Sequence, residues 1–388
     1  PIDIIDNYGA DALRCSLVML TPTGQDIFFS ETTLEVGRNF CNKIFQATKL
    51  VLGMWDEAGL SQEATAGAEA PRTLNLSDLG SSSDWETEPG RLFNEMWNGV
   101  FGGQPPVQIT DEDLTLEDRW ILSQMFKTVT EANANMDKRR LNDAAYCVFN
   151  FFRHEYCDWY LEAVKPRLRD ENQQAVALSV AVLNLAVSYK LLHPVMPFIT
   201  EELWSWLPPS RGYLMTSSFP VMDLNAPFKA EFDQFEQVKE IVNVVRNVRN
   251  ELGVPPGKRG LAILRVGDEN RIPGLQYISD LVALLAKMEN VEVVCGGEDP
   301  TPAGVGVAGT IEIFLPMKGL VDLEKEKARL AKELAKLEGW MKGCRAKLAN
   351  KKFTDNAPDH VVQQQQDLLA ENENKAATLV ERIKGLDS

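Results

Sequence analysis

The sequence holds no CxxC pair, only three histidines, and no G-x-x-x-x-G-K-[ST] phosphate loop. Those gaps argue against a zinc ribbon, a disulfide scaffold and a lysine-bearing phosphate loop. The cysteines at 15, 41, 147, 157, 295 and 344 make no regular framework, so reduced thiols in a reducing compartment are expected. The cytoplasm satisfies that, as does the interior of an organelle. The opening Pro1-Ile2-Asp3-Ile4-Ile5-Asp6 carries no starting Met, basic segment or signal pattern, which reads as a chain continuing upstream. No long apolar run is free of polar residues. The longest, Ala175–Leu192, contains Asn184, Ser188, Tyr189 and Lys190, and reads as a buried core helix with no membrane partner.

Basic residues are scarce where acids are dense. Between Met54 and Asp118 fourteen acids face only Arg72 and Arg91, a local charge of −12 out of −16 for the whole chain. Overall charge therefore says little about what the remaining surface attracts. This stretch, 54–113, is rich in Gly, Ser and Pro without sustained period, and reads as a partly disordered surface insertion with one short helix near Arg91–Trp97.

Periodicity organises the rest. Ile2–Ile5 reads as a short strand, followed by a helix from Gly9 to Leu20 that Thr21-Pro22-Thr23-Gly24 breaks. Helical spacing returns over Thr33–Leu52, with Leu34, Phe40, Ile44, Ala47 and Val51 on one face. It resumes from Leu116 to Trp206, including one helix over Asn142–Val164 and a break at His193-Pro194-Val195-Met196-Pro197. The fold class is mainly α, a helical bundle over 31–215 preceded by a connection at 1–30. From 216 to 317 a Pro-punctuated linker and a helix at Glu236–Leu252 lead into a small α/β module. Its strands are expected at Leu261–Val266, Val291–Val294 and Ile311–Leu315, with a helix at Leu281–Met288.

Residues 318–388 form an antiparallel coiled-coil hairpin. Leu320, Leu323, Lys327, Leu330, Leu334, Leu337, Met341, Cys344 and Leu348 follow a heptad seam, and Val362, Gln365, Leu369, Asn372, Ala376, Leu379, Ile383 and Leu386 repeat it. Each arm reaches roughly 45 Å. The first is basic, and Lys342–Lys352 holds five basic residues and no acid, a surface suited to following phosphates. The alternative is a solvated face laced with i,i+4 ion pairs. Cys147, His154 and Cys157 share a helix face but lack an evident fourth metal ligand, and His154 has no orienting acid for a triad. The residues alone identify no catalytic group.

Several motifs in order resemble class I aminoacyl-tRNA synthetases of the valine, isoleucine and leucine group. They are Tyr8-Gly9-Ala10-Asp11-Ala12-Leu13-Arg14, Gly37-Arg38-Asn39-Phe40-Cys41-Asn42-Lys43, Asp118-Arg119-Trp120-Ile121-Leu122, Tyr156-Cys157-Asp158-Trp159-Tyr160 and His193-Pro194-Val195-Met196-Pro197 through Trp204. Thr23-Gly24-Gln25-Asp26-Ile27, the segment Leu315–Glu326 and Ala357-Pro358-Asp359-His360-Val361-Val362 favour the valine branch. The isoleucine branch usually ends in a Cys cluster absent here. Gln363-Gln364-Gln365-Gln366 departs from the more charged pattern usual in the second arm.

The resemblance implies tRNA, and tRNA(Val) in particular, as partner of a monomeric protein. It implies ATP and Mg as requirements of a longer enzyme, because the H-I-G-H and K-M-S-K-S motifs and the editing domain are missing. No cofactor is expected in these residues themselves. By the same resemblance Arg38, Asn42 and Lys43 approach the anticodon region, with Trp159, Lys165 and Arg167 as further candidates. Trp159 has the composition of a core residue. On the arm, Lys332, Lys336, Arg345, Lys347 and Lys351 contact the phosphate backbone. A synthetase of another specificity in the same group, or a coiled-coil interaction module without enzymatic role, are the alternatives.

Overall fold

The computed structural model describes residues 2–20, 31–60, 88–208, 210, 212–221, 227–320, 323–349 and 359–385. They form two compact units, one through Glu236 and one from Gln237 onward. Among the described residues the chain is mainly α with one four-stranded sheet.

In the first unit α1 (Ile2–Tyr8) and α2 (Ala10–Leu20) precede the long α3 (Glu31–Glu57). Ile2–Ile5 is thus helical, not a strand. Asp3 sits in the first turn, where it favours the helix dipole, and Asn7 Nδ2 donates to the Asp3 carbonyl at 2.8 Å. These local terms outweigh the strand preference of three isoleucines. Gly37 lets α2 and α3 close on each other, since a Cβ there would lie 2.3 Å from the Ala12 carbonyl oxygen. The Thr23–Ile27 motif lies outside the described residues.

The expectation of a surface insertion over 54–113 is corrected for its ends. α3 runs on to Glu57, and α4 (Pro89–Phe101) is a core helix that buries Leu92, Phe93, Met96, Trp97, Val100 and Phe101. Trp97 stacks on Trp55 with ring centroids 6.3 Å apart, and Phe101 on Trp204 at 6.0 Å. The segment that follows wraps α4: Asn94 Nδ2 donates to the Ile109 carbonyl, and Gly90 N–H to Asp111, both at 2.8 Å. The stretch 61–87 lies outside the described residues.

α5 (Leu116–Asp137) starts at a capping box between Thr115 and Asp118. The helix expected over Asn142–Val164 is three segments: α6 (Leu141–Asn150), a π-helix over Phe151–Tyr160, and α7 (Leu161–Val164). Its bulky rings Phe152, Tyr156 and Tyr160 follow one another with centroids 5.4 and 5.9 Å apart. In that wider register Tyr156 donates to the Ala181 carbonyl and Tyr160 to Asp118, both at 3.0 Å. α8 (Gln174–Leu192) is the centre of the bundle, with every residue from Ala177 to Leu192 buried. Two of its polar side chains bond within the helix, Asn184 to the Val180 carbonyl and Ser188 to the Asn184 carbonyl. It is long and apolar enough to cross a membrane by composition, yet sits inside this unit.

The break after α8 and the start of α9 (Pro197–Trp206) are held by α2. Asp11 Oδ2 accepts from the Ile199 N–H at 2.6 Å, and Arg14 donates to the Val195 and Pro194 carbonyls at 2.9 and 3.2 Å. Two motifs far apart in sequence thus meet at one turn. α10 (Lys229–Glu251) begins in this unit, where Phe235 stacks on Trp120 at 3.9 Å, and continues into the next.

In the second unit β1 (Leu261–Val266), α11 (Ile272–Ala286), β2 (Asn290–Cys295), β3 (Ala303–Ala308) and β4 (Ile311–Pro316) form a sheet of order β2-β1-β4-β3. β1 and β2 are parallel across α11, and the other pairs are antiparallel. β3 was absent from the sequence reading because two glycines weaken a strand pattern. Those glycines are required: a Cβ at Gly304 or Gly306 would sit 2.6 or 2.4 Å from Val248 or Val244 of α10. α12 (Leu323–Ala349) and α13 (Asp359–Gly385) then pair, with Leu330, Met341, Cys344 and Ala376 buried between them. Cys344, late in α12, meets Gln365, early in α13, at 3.9 Å, so the pair is antiparallel as its seam requires.

Candidate nucleic-acid interface

On α3 the apolar stripe of Leu34, Phe40, Ile44, Ala47 and Val51 turns inward. The opposite side presents Arg38 and Asn42, both exposed, at helical spacing. Gln46 and Lys49 continue that strip, and the sequence reading missed them although the same spacing, carried one turn and two turns further, points to both. They open onto a groove of about 770 Å³ lined also by Leu50, Gly53, Leu168, Arg169 and Gln174.

Lys43 is half-exposed and bonded to Asp158 Oδ1 at 2.6 Å, while His154 Nδ1 lies 3.2 Å from the other carboxylate oxygen. Asp158 thus ties α3 to the π-helix and holds one of the candidate cations. Trp159 is buried and belongs to the core. Lys165 is exposed and paired with Glu162.

Arg167 has a structural position. Its Nη1 lies 2.7 Å from Asp118 Oδ2, 3.3 Å from Glu117 and 2.8 Å from Thr115 Oγ1, and its Nε donates to Gln173 at 3.1 Å. Asp118 is fully buried, so this guanidinium neutralises a carboxylate that also accepts from Tyr160. Burial resists the charge of Arg167, but the acids Asp118 and Glu117 hold its pKa above the ordinary value. The Tyr160 hydroxyl is pushed well up by burial, with the Asp118 charge adding to it. In the single turn Arg167-Leu168-Arg169 the first arginine faces in and the second is exposed at the groove. Arg169 therefore takes the surface place that sequence alone gave to its neighbour.

The thiols Cys15, Cys41, Cys147 and Cys157 are pushed up to about 12, chiefly by burial. They are protonated and poor nucleophiles near neutrality.

On the arm, Lys332, Lys336 and Lys347 are exposed and, among the described residues, meet no carboxylate at ion-pair distance. Arg345 lies on the other flank of the seam and pairs with Glu373 of α13 at 2.7 Å. Lys351 lies outside the described residues. Thus the structure places Arg38 and Asn42 on one strip, Lys43 beside it and paired with Asp158, and the three arm lysines together on one helix. Trp159 and Arg167 lie in the interior.

Residues 118–265 match the family described as the anticodon-binding domain of tRNA ligase, and residues 322–387 the valyl tRNA synthetase tRNA binding arm. Over essentially its whole length the chain is also similar to curated valine–tRNA ligases. It is 30% identical over 390 residues to that of Syntrophotalea carbinolica, covering 100% of this chain and 38% of the relative. The Fusobacterium nucleatum enzyme is 30% identical over 394 residues, 100% of this chain and 39% of its own. That of Carboxydothermus hydrogenoformans is 33% identical over 384 residues, 99% and 38% respectively. The chain therefore spans under two-fifths of the length of these relatives. With the two domain matches in the order the folded units display, the chain belongs to the valine–tRNA ligase family, corresponding to its anticodon-binding and arm-bearing part.

Proposed function

We propose that this chain binds a valine tRNA as a monomer, and that it serves ATP- and Mg-dependent ligation of valine carried out by residues bearing the family's H-I-G-H and K-M-S-K-S motifs. The observation that carries the reading is the presence in one chain of both an anticodon-binding match and a tRNA-binding-arm match. Unstacked anticodon bases suit the strip Arg38–Asn42–Gln46–Lys49 and the groove at Arg169, which offer amide and guanidinium donors beside a concave wall. The arm's lysines supply phosphate contacts that position the RNA without reading its sequence. The arm satisfies its own apolar seam within one chain, which supports a monomer. Reduced thiols fit a cytoplasmic site of action.

Filter binding of valine and isoleucine tRNA transcripts over a range of salt concentrations tests this. The expected result is tighter binding of the valine transcript and an affinity that falls steeply with salt, because each neutralised phosphate releases counterions. Equal affinity for both transcripts would refute the valine assignment, and salt-independent or absent binding the tRNA reading altogether.

A further inference from the structure

Trp340 departs from the pattern of the arm. It is 41% exposed and stands one position before the buried seam residue Met341, hence beside the seam rather than in it. Lys332, Glu333, Lys336, Gly343 and Lys347 are spaced from it by three or four residues or their sums, so all six share one exposed helix face, with three lysines to one acid. Arg345, paired with Glu373, is on the other flank.

Gly339 and Gly343 bracket the indole one residue before it and three after. Glycine within a helix is destabilising relative to alanine. The usual compensation is close packing, as at Gly37. Neither arm glycine has it: a Cβ at either position would meet nothing within 4 Å. A single exposed aromatic calls for no explanation. An exposed aromatic flanked by two unfavourable glycines, on the lysine-bearing face, does, because the chain leaves its own backbone bare there without any internal return.

We propose that Trp340 and the uncovered backbone at Gly339 and Gly343 form a seat for the flat face of a tRNA base, with Lys336 and Lys347 holding phosphates on either side. Base–indole stacking needs an accessible ring face and room beside it for the sugar, and missing Cβ atoms provide that room. Charge complementarity selects the occupant: the ring's face is net positive, with Lys332, Lys336 and Lys347 against Glu333, and a polyanion that also carries aromatic faces satisfies both features. This inference rests on the tRNA reading above and adds a contact of a different kind, one that is apolar and releases no counterions.

The test is tRNA filter binding by the full chain at several salt concentrations, with arm stability followed by thermal melting. Trp340→Ala is expected to weaken binding about tenfold or more while leaving the salt slope unchanged, and Trp340→Phe to retain most of the affinity. The pair Gly339→Ala with Gly343→Ala is expected to raise thermal stability yet weaken binding, opposite signs that a purely structural role does not give. Lys336→Glu with Lys347→Glu should weaken binding and flatten the salt slope. If those lysine reversals act but the Trp340 and glycine variants bind like wild type, the stacking seat is overturned and the tRNA reading stands. If wild type binds no tRNA, that reading fails first. A Trp340→Ala effect seen only as lost self-association in gel filtration would assign the face to a second copy and overturn the seat.

Discussion

Lys190 is an ammonium-bearing side chain buried in the last turn of the most buried helix, and its removal should stabilise the protein at neutral pH. It is 6% exposed, its Nζ reaches, among the described residues, only the Ser218 carbonyl at 3.4 Å, and the Trp204 ring lies 5.2 Å away. Burial lowers its pKa from 10.5 to about 8. A group with a folded pKa below its unfolded one is bound less tightly to its proton in the native state, so stability rises with pH between the two values. At 1.36 kcal/mol per pH unit, that gap corresponds to about 3 kcal/mol of destabilisation fully present below pH 8. The indole face returns about 1 kcal/mol. Lys190→Met should therefore gain about 2 kcal/mol at pH 7, with the gain shrinking as pH rises toward 10. Urea unfolding at pH 7, 8, 9 and 10 measures it, using tryptophan fluorescence, since seven of the eight tryptophans precede Glu236 and report that unit. A difference between variant and wild type that stays constant from pH 7 to 10 would refute the reasoning, because Lys190 would then titrate alike in both states.

Three further outcomes follow from the described contacts. Arg167→Met should destabilise the first unit by about 3–5 kcal/mol in urea unfolding, since it leaves the fully buried Asp118 without its cation. In the fraction that remains folded, tRNA affinity should change little, in contrast to a surface-contact residue. Gly37→Ala should cost about 1–3 kcal/mol by forcing α2 away from α3, seen as a lower melting temperature. Asp158→Asn should release Lys43 and remove a nearby negative charge, raising affinity for unrelated tRNA more than for the preferred one and steepening the salt dependence in filter binding; an unchanged ratio of the two affinities would count against it.

The heptad seam was legible because its period repeats over many turns and each position needs only an apolar side chain. Ala175–Leu192 was legible for a related reason, since length and hydropathy alone demand burial. Ile2–Ile5 misled because β-branched residues suggest a strand, while Asp3 and Asn7 carry a quieter helical signal. α4 showed in the sequence only as a short surface helix near Arg91–Trp97: fourteen acids across the surrounding stretch masked its full length and the core spacing of Phe93, Trp97 and Phe101. Around the exposed strip of α3, the motif Gly37–Lys43 drew attention to Arg38, Asn42 and Lys43, yet Gln46 and Lys49 needed only the same helical step. The inward turn of Arg167 and outward turn of Arg169 depend on where Asp118 ends up in three dimensions, which no local spacing encodes.

The seam of the arm is not uniformly greasy. Cys344 faces Gln365 across it, and Asn372 turns its amide back to the Leu368 carbonyl of its own helix. A wholly aliphatic seam would allow the two helices to slide by a heptad with little penalty, whereas polar groups at fixed positions make one alignment favourable and displaced ones costly. The hairpin therefore behaves like a ruler whose graduations cannot creep. Whatever touches Lys336 or Lys347 finds them opposite a constant stretch of the partner helix.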